Sequence, residues 1–293
     1  MELDDALRAA GAVAWGVAPA QAVDDTAAQS FDHWLQCGFN AAMEYMQKYH
    51  DIRLDPRLLL EGAQSVISIA FPYPAPPEFP NLRWASYALG DDYHDVLRRR
   101  LQHVVTMIKE KYDAESRICV DSAPILEKYW AERTGVGFKG LNSQIIVPGI
   151  GSRIFLAEIV TTLSIDPDES SHENCSGCRR CINACPGGAI SEDGTIDARK
   201  CLSYLTIECR DEQLPPDLNL CGQVYGCDIC LNVCPHNHPA TLYPDEFKPR
   251  QSILSLTKED VDRMDQATFS TVFTRSPIKR TKLAGLKRNV KSL

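Results

Sequence analysis

The sequence has no apolar run near the roughly 20 residues that a membrane helix needs. Its opening, Met1-Glu2-Leu3-Asp4-Asp5, is acidic where an export signal would be basic and then apolar. The expectation is a cytoplasmic protein with no membrane segment. It also lacks a basic excess: 31 Lys and Arg against 39 Asp and Glu leave a formal charge of -8, so a nucleic-acid partner must meet a local basic patch. At 293 residues and 44% hydrophobic content the chain can bury a normal core in one large domain or two smaller ones.

Cysteine is not lacking. Twelve cysteines without an export signal argue against a disulfide framework and for thiols kept reduced. Residues 175–186 read CxxCxxCxxxCP, the spacing of iron-sulfur ligation, in which three thiolates take one cubane and the fourth, three residues on, serves another. A second half must therefore exist, and Cys227, Cys230 and Cys234 with Pro235 supply it as CxxCxxxCP. By the crossed pattern one 4Fe-4S cluster takes Cys175, Cys178, Cys181 and Cys234. The other takes Cys185, Cys201, Cys227 and Cys230, with Cys209 and Cys221 competing for the place of Cys201. Structural zinc would also use CxxC pairs, but a proline after the last cysteine of each run belongs to ferredoxins.

Along the chain, residues 3–16 read as a helix followed by a short strand. Residues 30–49 have the spacing of a second helix, capped by Ser30, with Phe31, Trp34, Leu35, Met43 and Met46 as core. Asp55-Pro56 opens a short helix, residues 63–71 form a strand buried on both faces, and the proline-rich 72–80 is a loop. Residues 93–112 form a long helix carrying Arg98, Arg99 and Arg100, and a strand over 117–121 ends on Asp121. Asp121 can be the N-cap of the helix that follows or a functional acid at a strand end. Residues 135–140 match GxGxxG but follow a helix where a dinucleotide loop needs a strand, which makes them a turn. Residues 143–147 and 152–160 read as two strands around the Pro148-Gly149 turn. His172, His236 and His238 flank the cysteines as loop residues. After Asp265 the chain carries Arg275, Lys279, Arg280, Lys282, Lys287, Arg288 and Lys291 without another acid, either a solvated end or a surface for a polyanion such as RNA.

Six stretches together resemble the epoxyqueuosine reductase family: Arg53-Leu54-Asp55-Pro56, residues 87–94 (YALGDDYH), 120–128 (VDSAPILEK), 201–208 (CLSYLTIE), 225–228 (YGCD) and 276–280 (SPIKR). The resemblance runs almost end to end. It implies an α/β (α+β) cobalamin-binding domain of nitroreductase type over 1–165, a ferredoxin-like two-cluster domain over 166–240 and a basic C-terminal segment over 241–293 that contacts tRNA. It further implies two 4Fe-4S clusters with Cys201 among their ligands, and cobalamin bound with its lower base detached. The reaction implied is reduction of the epoxide of epoxyqueuosine in tRNA, served by a low-potential donor of flavodoxin or ferredoxin type. Asp121 matches the proton donor, and Ser203 and Asp228 match residues near the corrin. Asp92-x-His94 begins like a cobalt-ligating motif of other B12 proteins, but Leu97 stands where that motif has glycine, so His94 is not supported as a ligand. A corrinoid reductive dehalogenase and a plain ferredoxin-type carrier are the alternatives; the second would leave the first 165 residues idle.

Overall fold

The apolar run after Ala63 forms the strand Ser65–Pro72, buried at every residue because both of its faces are covered. It lies in a four-stranded sheet whose neighbours run Ala14–Pro19, Ser65–Pro72, Ile154–Thr161 and Ser116–Cys119, all three pairings antiparallel. Alternation along the strands sorts the side chains. Ile67, Ile69 and Phe71, with Ala157 and Ile159, pack under the helices Glu2–Ala10 and Tyr93–Tyr112. Val66 and Val160 face the other way, onto Trp130 of the helix Glu127–Arg133. The computed structural model describes residues 2–170, 173–238 and 242–293, so the expectation for His172 falls outside the described residues. No described helix is long and apolar enough to cross a membrane.

Two local expectations are corrected. The second helix runs Asp25–Gln36, capped by Asp24, and it buries no residue. Ser30 lies inside it, its hydroxyl bonded back to the Thr26 carbonyl at 2.7 Å, and Met46 ends a 3-10 segment beyond it, Glu44–Met46, which Met43 precedes. Asp24 wins because its carboxylate accepts from the Ala27 N–H at 2.8 Å, one of the donors a helix start leaves open. The strands around Pro148-Gly149 do not pair with each other. Ile145–Ile146 pairs back with Phe138–Lys139, and Ile154–Thr161 enters the main sheet. The glycine-rich stretch opens with the turn before that hairpin and includes its first strand, Phe138–Lys139: Gly135 has φ 76°, and a Cβ there would lie 2.3 Å from the Glu169 carbonyl oxygen.

The basic C-terminal residues are folded. Ile253, Val261, Phe269, Phe273, Leu286 and Val290 share one core with Leu82, Trp84, Val224 and Tyr225, and Arg83–Trp84 pairs in parallel with Gln223–Tyr225. Arg288, buried, donates to the carbonyls of Leu205, Cys209 and Asp211 at 2.8–2.9 Å. Asn289 beside it donates to the carbonyls of Thr206 and Val224 at 2.8 Å. The last helix, Lys282–Lys291, thus clamps the segment that carries Cys201.

Removing the Arg288 head while keeping bulk strands several buried carbonyls. Each such loss costs about 1–3 kcal/mol, so Arg288→Leu should lower the unfolding free energy by roughly 3 kcal/mol or more. The urea midpoint measures it; an unchanged midpoint would mean that water replaces the guanidinium.

Candidate active site

The structure brings the cysteines together in two sets. Cys181 and Cys234 both feel Cys175, and Cys234 also feels Cys178. In the second set Cys227 and Cys230 each feel both Cys185 and Cys201. The two short helices that carry Cys181 and Cys230, Arg180–Ala184 and Ile229–Asn232, pack against each other. Cys209 is instead buried among Leu202, Leu205, Leu214 and Leu220, and Cys221 sits in a turn against Asn219. All twelve are free thiols. Among the described residues no three acids, histidines or cysteines converge tightly enough for a single metal ion, whereas a cubane offers its thiolates four separate irons. Burial, with the neighbouring thiols, pushes Cys227 up to about 12 and raises Cys230 as well, so loading with iron must expel protons here.

Asp121 is not a helix cap. The helix begins at Glu127 with Leu126 as its cap, and Asp121 stands earlier, at φ 50°. The Ser122 N–H reaches back to the Val120 carbonyl at 2.5 Å, which places Asp121 at the apex of a three-residue turn. Backbone of this kind costs on the order of 1–3 kcal/mol and persists only where its surroundings hold it. The Tyr93 hydroxyl donates to Asp121 Oδ2 at 2.7 Å, His94 Nε2 lies 3.0 Å from the same oxygen, and His94 Nδ1 lies 2.7 Å from Asp92 Oδ1. Both imidazole nitrogens are thus engaged by carboxylates. Asp92 in turn caps the helix Tyr93–Tyr112 by accepting from the His94 N–H.

The Asp121 side chain is 57% exposed, yet protein surrounds it closely enough to desolvate it. Desolvation alone would push its carboxyl up; the bonds from His94 and Tyr93 outweigh that and hold it below the ordinary range. His94 is likewise opposed by desolvation, but its bonds to Asp121 and Asp92 raise it to about 9. Desolvation and the adjacent Asp121 charge push Glu127 up to about 8. These residues line an open recess. Lys128 lies within it, its charge disfavoured by burial and felt by Cys201 and Cys230, so the recess borders the second cysteine set.

On another side of the recess, Arg280 grips Glu208 with two bonds at 2.8 and 2.9 Å and stacks on Tyr45 at 5.5 Å. Both Tyr45 and Arg280 feel Asp121. A depression of about 470 Å³ opens there, lined by Tyr45, Arg210, Lys279, Arg280 and Lys282 among others. The tail's charges are therefore not all free. Arg280 is paired, Arg288 is buried, and the Lys287 ammonium is bonded to the Asp262 carbonyl at 2.8 Å. Asp228 is buried, its Oδ2 accepting from the Ser86 N–H and hydroxyl at 2.7 and 2.6 Å. Ser203 is half-buried in the helix Leu202–Ile207. Reading residues one at a time missed Tyr93, Glu127 and Lys128; the only signal was their place inside two of the recognised stretches.

Two family models match: one described as epoxyqueuosine reductase QueG over residues 53–122, and one described as a 4Fe-4S double cluster binding domain over residues 174–237. The epoxyqueuosine reductase of Cyclobacterium marinum is 39% identical, the match covering 94% of this chain and 90% of that protein. That of Synechocystis is 38% identical over 94% of this chain and 99% of its own length. A crystal structure of an epoxyqueuosine reductase with an epoxyqueuosine-modified tRNA-Tyr stem loop is 28% identical, with TM-score 0.91 over 99% of this chain and 79% of that one. A Bacillus subtilis epoxyqueuosine reductase, solved with its catalytic aspartate loop swung out of the active site, gives TM-score 0.89 at 28% identity over 99% of this chain and 79% of that one.

With His94 raised to about 9, its imidazolium contribution to stability is fully present below the unfolded value of about 6.5 and fades as pH rises through about 9. The contributions of Asp92 and Asp121, both held low, are instead lost as pH falls through their folded values. His94→Gln should therefore melt below the parent near neutrality and converge with it by about pH 10. Thermal unfolding across that range checks this; a gap constant with pH would mean that the imidazolium charge contributes nothing.

Proposed function

The chain belongs to the epoxyqueuosine reductase family, and from that premise we propose how its own residues carry the reaction. It is an oxidoreductase that converts epoxyqueuosine at the wobble position of tRNA to queuosine. Two electrons and two protons enter, both carbon–oxygen bonds of the epoxide break, a carbon–carbon double bond forms and one water leaves. The observation that carries the reading is Asp121, a carboxyl held at an open, desolvated recess and hydrogen-bonded to an imidazole that bears a proton at neutral pH.

In the open recess the pair is ionic. Covering it with nucleoside and cofactor removes water, and an ion pair loses more solvation than its neutral form. The proton then passes from His94 Nε2 to the Asp121 carboxyl, which as an acid meets the epoxide oxygen and makes it a leaving group. Both protein bonds fall on Oδ2, so the proton arrives on that oxygen, and the carboxyl turns it toward the epoxide oxygen to donate it. Tyr93 orients the carboxyl and Asp92 orients the imidazole.

The chain contains a double 4Fe-4S binding domain. We assign Cys175, Cys178, Cys181 and Cys234 to one cluster and Cys185, Cys201, Cys227 and Cys230 to the other, in keeping with the two sets that face each other. We place the cobalamin at this recess, where Asp121 is open to water, protein stands close enough to desolvate it, and the second cysteine set lies alongside. The helix-covered sheet beneath it would serve as the nitroreductase-type module, with Ser203 and Asp228 toward the corrin; Asp228 would act through Ser86, which it already holds. Bound there, cobalamin would supply a low-potential cobalt that stores two electrons delivered singly by the clusters. A flavodoxin- or ferredoxin-type donor would approach the first set, where Arg180 and Asn183 line a depression of about 580 Å³ beside Cys234. The tRNA backbone would lie along Arg210, Lys279 and Lys282.

Asp121→Asn removes the acid without touching a helix cap. The variant should keep about eight iron per chain and its cobalt, yet form queuosine about a hundredfold to ten-thousandfold more slowly in a single turnover. Near-parental turnover by the loaded variant would exclude Asp121 as the acid.

Exchanging Lys279 and Lys282 for Gln should weaken tRNA binding and reduce the slope of log affinity against log salt by roughly one unit per lost phosphate contact. Filter binding across a salt series measures it. An unaltered slope would move the tRNA path elsewhere.

A further inference from the structure

We infer that Glu127 is a positioning residue: its side chain holds the Asp121 turn in working shape through the Asp121 backbone. The inference rests on Asp121 being the acid, and it concerns a contact that the reaction itself leaves alone. Glu127 Oε1 accepts a hydrogen bond from the Asp121 backbone N–H. Glu127 is the first residue of a helix anchored in the core by Trp130 and Ala131, so its carboxyl hangs from a rigid element. The segment between has little of its own to hold it. Ile125 N–H bonds the Ala123 carbonyl at 2.9 Å, and Arg98 reaches the Ser122 hydroxyl at 2.8 Å.

The turn at φ 50° needs an external hold, and it has two kinds. Tyr93 and His94 grip the carboxylate. Those grips must loosen when the carboxyl turns to the epoxide oxygen and gives up its proton. The Glu127 contact lies on the main chain, so it survives every protonation state of Asp121 and keeps the apex in place while the side chain changes partners.

What the role demands of Glu127 is an acceptor oxygen at that distance from the helix, not a negative charge. Its carboxyl is pushed up to about 8 by burial and by Asp121, so near neutrality the neutral acid, which glutamine resembles in shape and in its carbonyl acceptor, is well populated. Behind it Glu158 is fully buried, one oxygen bonded to the Ser68 hydroxyl at 3.2 Å, and its own carboxyl is raised by burial and by Glu127. A second full negative charge on Glu127 would sit badly between Glu158 and Asp121.

The test compares loaded Glu127→Ala and Glu127→Gln enzymes by amide hydrogen exchange over residues 116–127 and by single-turnover kinetics. The Ala variant should exchange the Asp121 amide about tenfold faster or more, and turn over about tenfold more slowly with KM for tRNA unchanged, as expected for one lost hydrogen bond. Gln should restore both. Parental exchange and rate in the Ala variant would overturn the inference. So would a Gln variant whose amide is protected but whose turnover is as slow as that of Ala, since the carboxyl proton and not the acceptor would then be needed. The exchange measurement does not depend on chemistry. If Asp121→Asn turned over normally, the acid assignment would fall while the amide result still decided whether Glu127 holds the turn.

Discussion

The role proposed for Asp121 carries a constraint: an acid that works at neutral pH beside a site for electron transfer must have a proton at hand without being sealed in apolar protein, and the contact with His94 would meet it. A lone buried carboxyl would hold its proton but would be cut off from water and substrate. A lone exposed one would have none to give. Sharing the proton with an imidazole separates storage from delivery. The rest of the wall follows from this need: Asp92 fixes the ring, Tyr93 fixes the carboxyl, and the Tyr93 ring stacks on Phe155 with centroids 4.5 Å apart, tying the site to the sheet core. One helix start, Asp92-Tyr93-His94, thus supplies a cap, a core contact and both partners of the acid.

The crossed cysteine pattern makes a comparable demand on the chain path. Cys234 must return to the side of Cys175, Cys178 and Cys181, and Cys185 must leave that side to join Cys201, Cys227 and Cys230. Packing of Arg180–Ala184 against Ile229–Asn232 achieves the exchange. Lys128 then joins the second set to the acid wall, placing a cation between the thiols and the carboxyls. Its charge tempers a region otherwise crowded with acids.

What was legible in the sequence followed from how local each feature is. The strand Ser65–Pro72 and the helix Tyr93–Tyr112 could be read because their patterns are set by the faces they bury. The two-cluster domain could be read because cubane geometry imposes spacing. The helix over 30–49 was misplaced because its apolar residues meet other segments and not a sheet core; Trp34, for one, donates to the Ile196 carbonyl at 2.8 Å. The N-cap alternative for Asp121 was reasonable for an acid before Ser-Ala-Pro, but the residues that follow run in bends, with the buried Ile125 bonded back to the Ala123 carbonyl, and helical backbone begins only at Glu127. The roles of Tyr93 and Glu127 were not legible residue by residue, because an ordinary tyrosine and an ordinary helical glutamate acquire meaning only across the fold.

The clamp formed by Arg288 and Asn289 bears on the order of events during synthesis. Every cysteine of both sets is translated before residue 288, yet the carbonyls of Leu205, Thr206, Cys209 and Val224 gain their donors only when the last helix arrives. While the polypeptide is still growing, the segment around Cys201 is therefore less restrained than in the finished molecule. During that interval the backbone after Cys201 is held only by its own short helix, and docking of Arg288 and Asn289 is what fixes it against the strand that leads to Cys227.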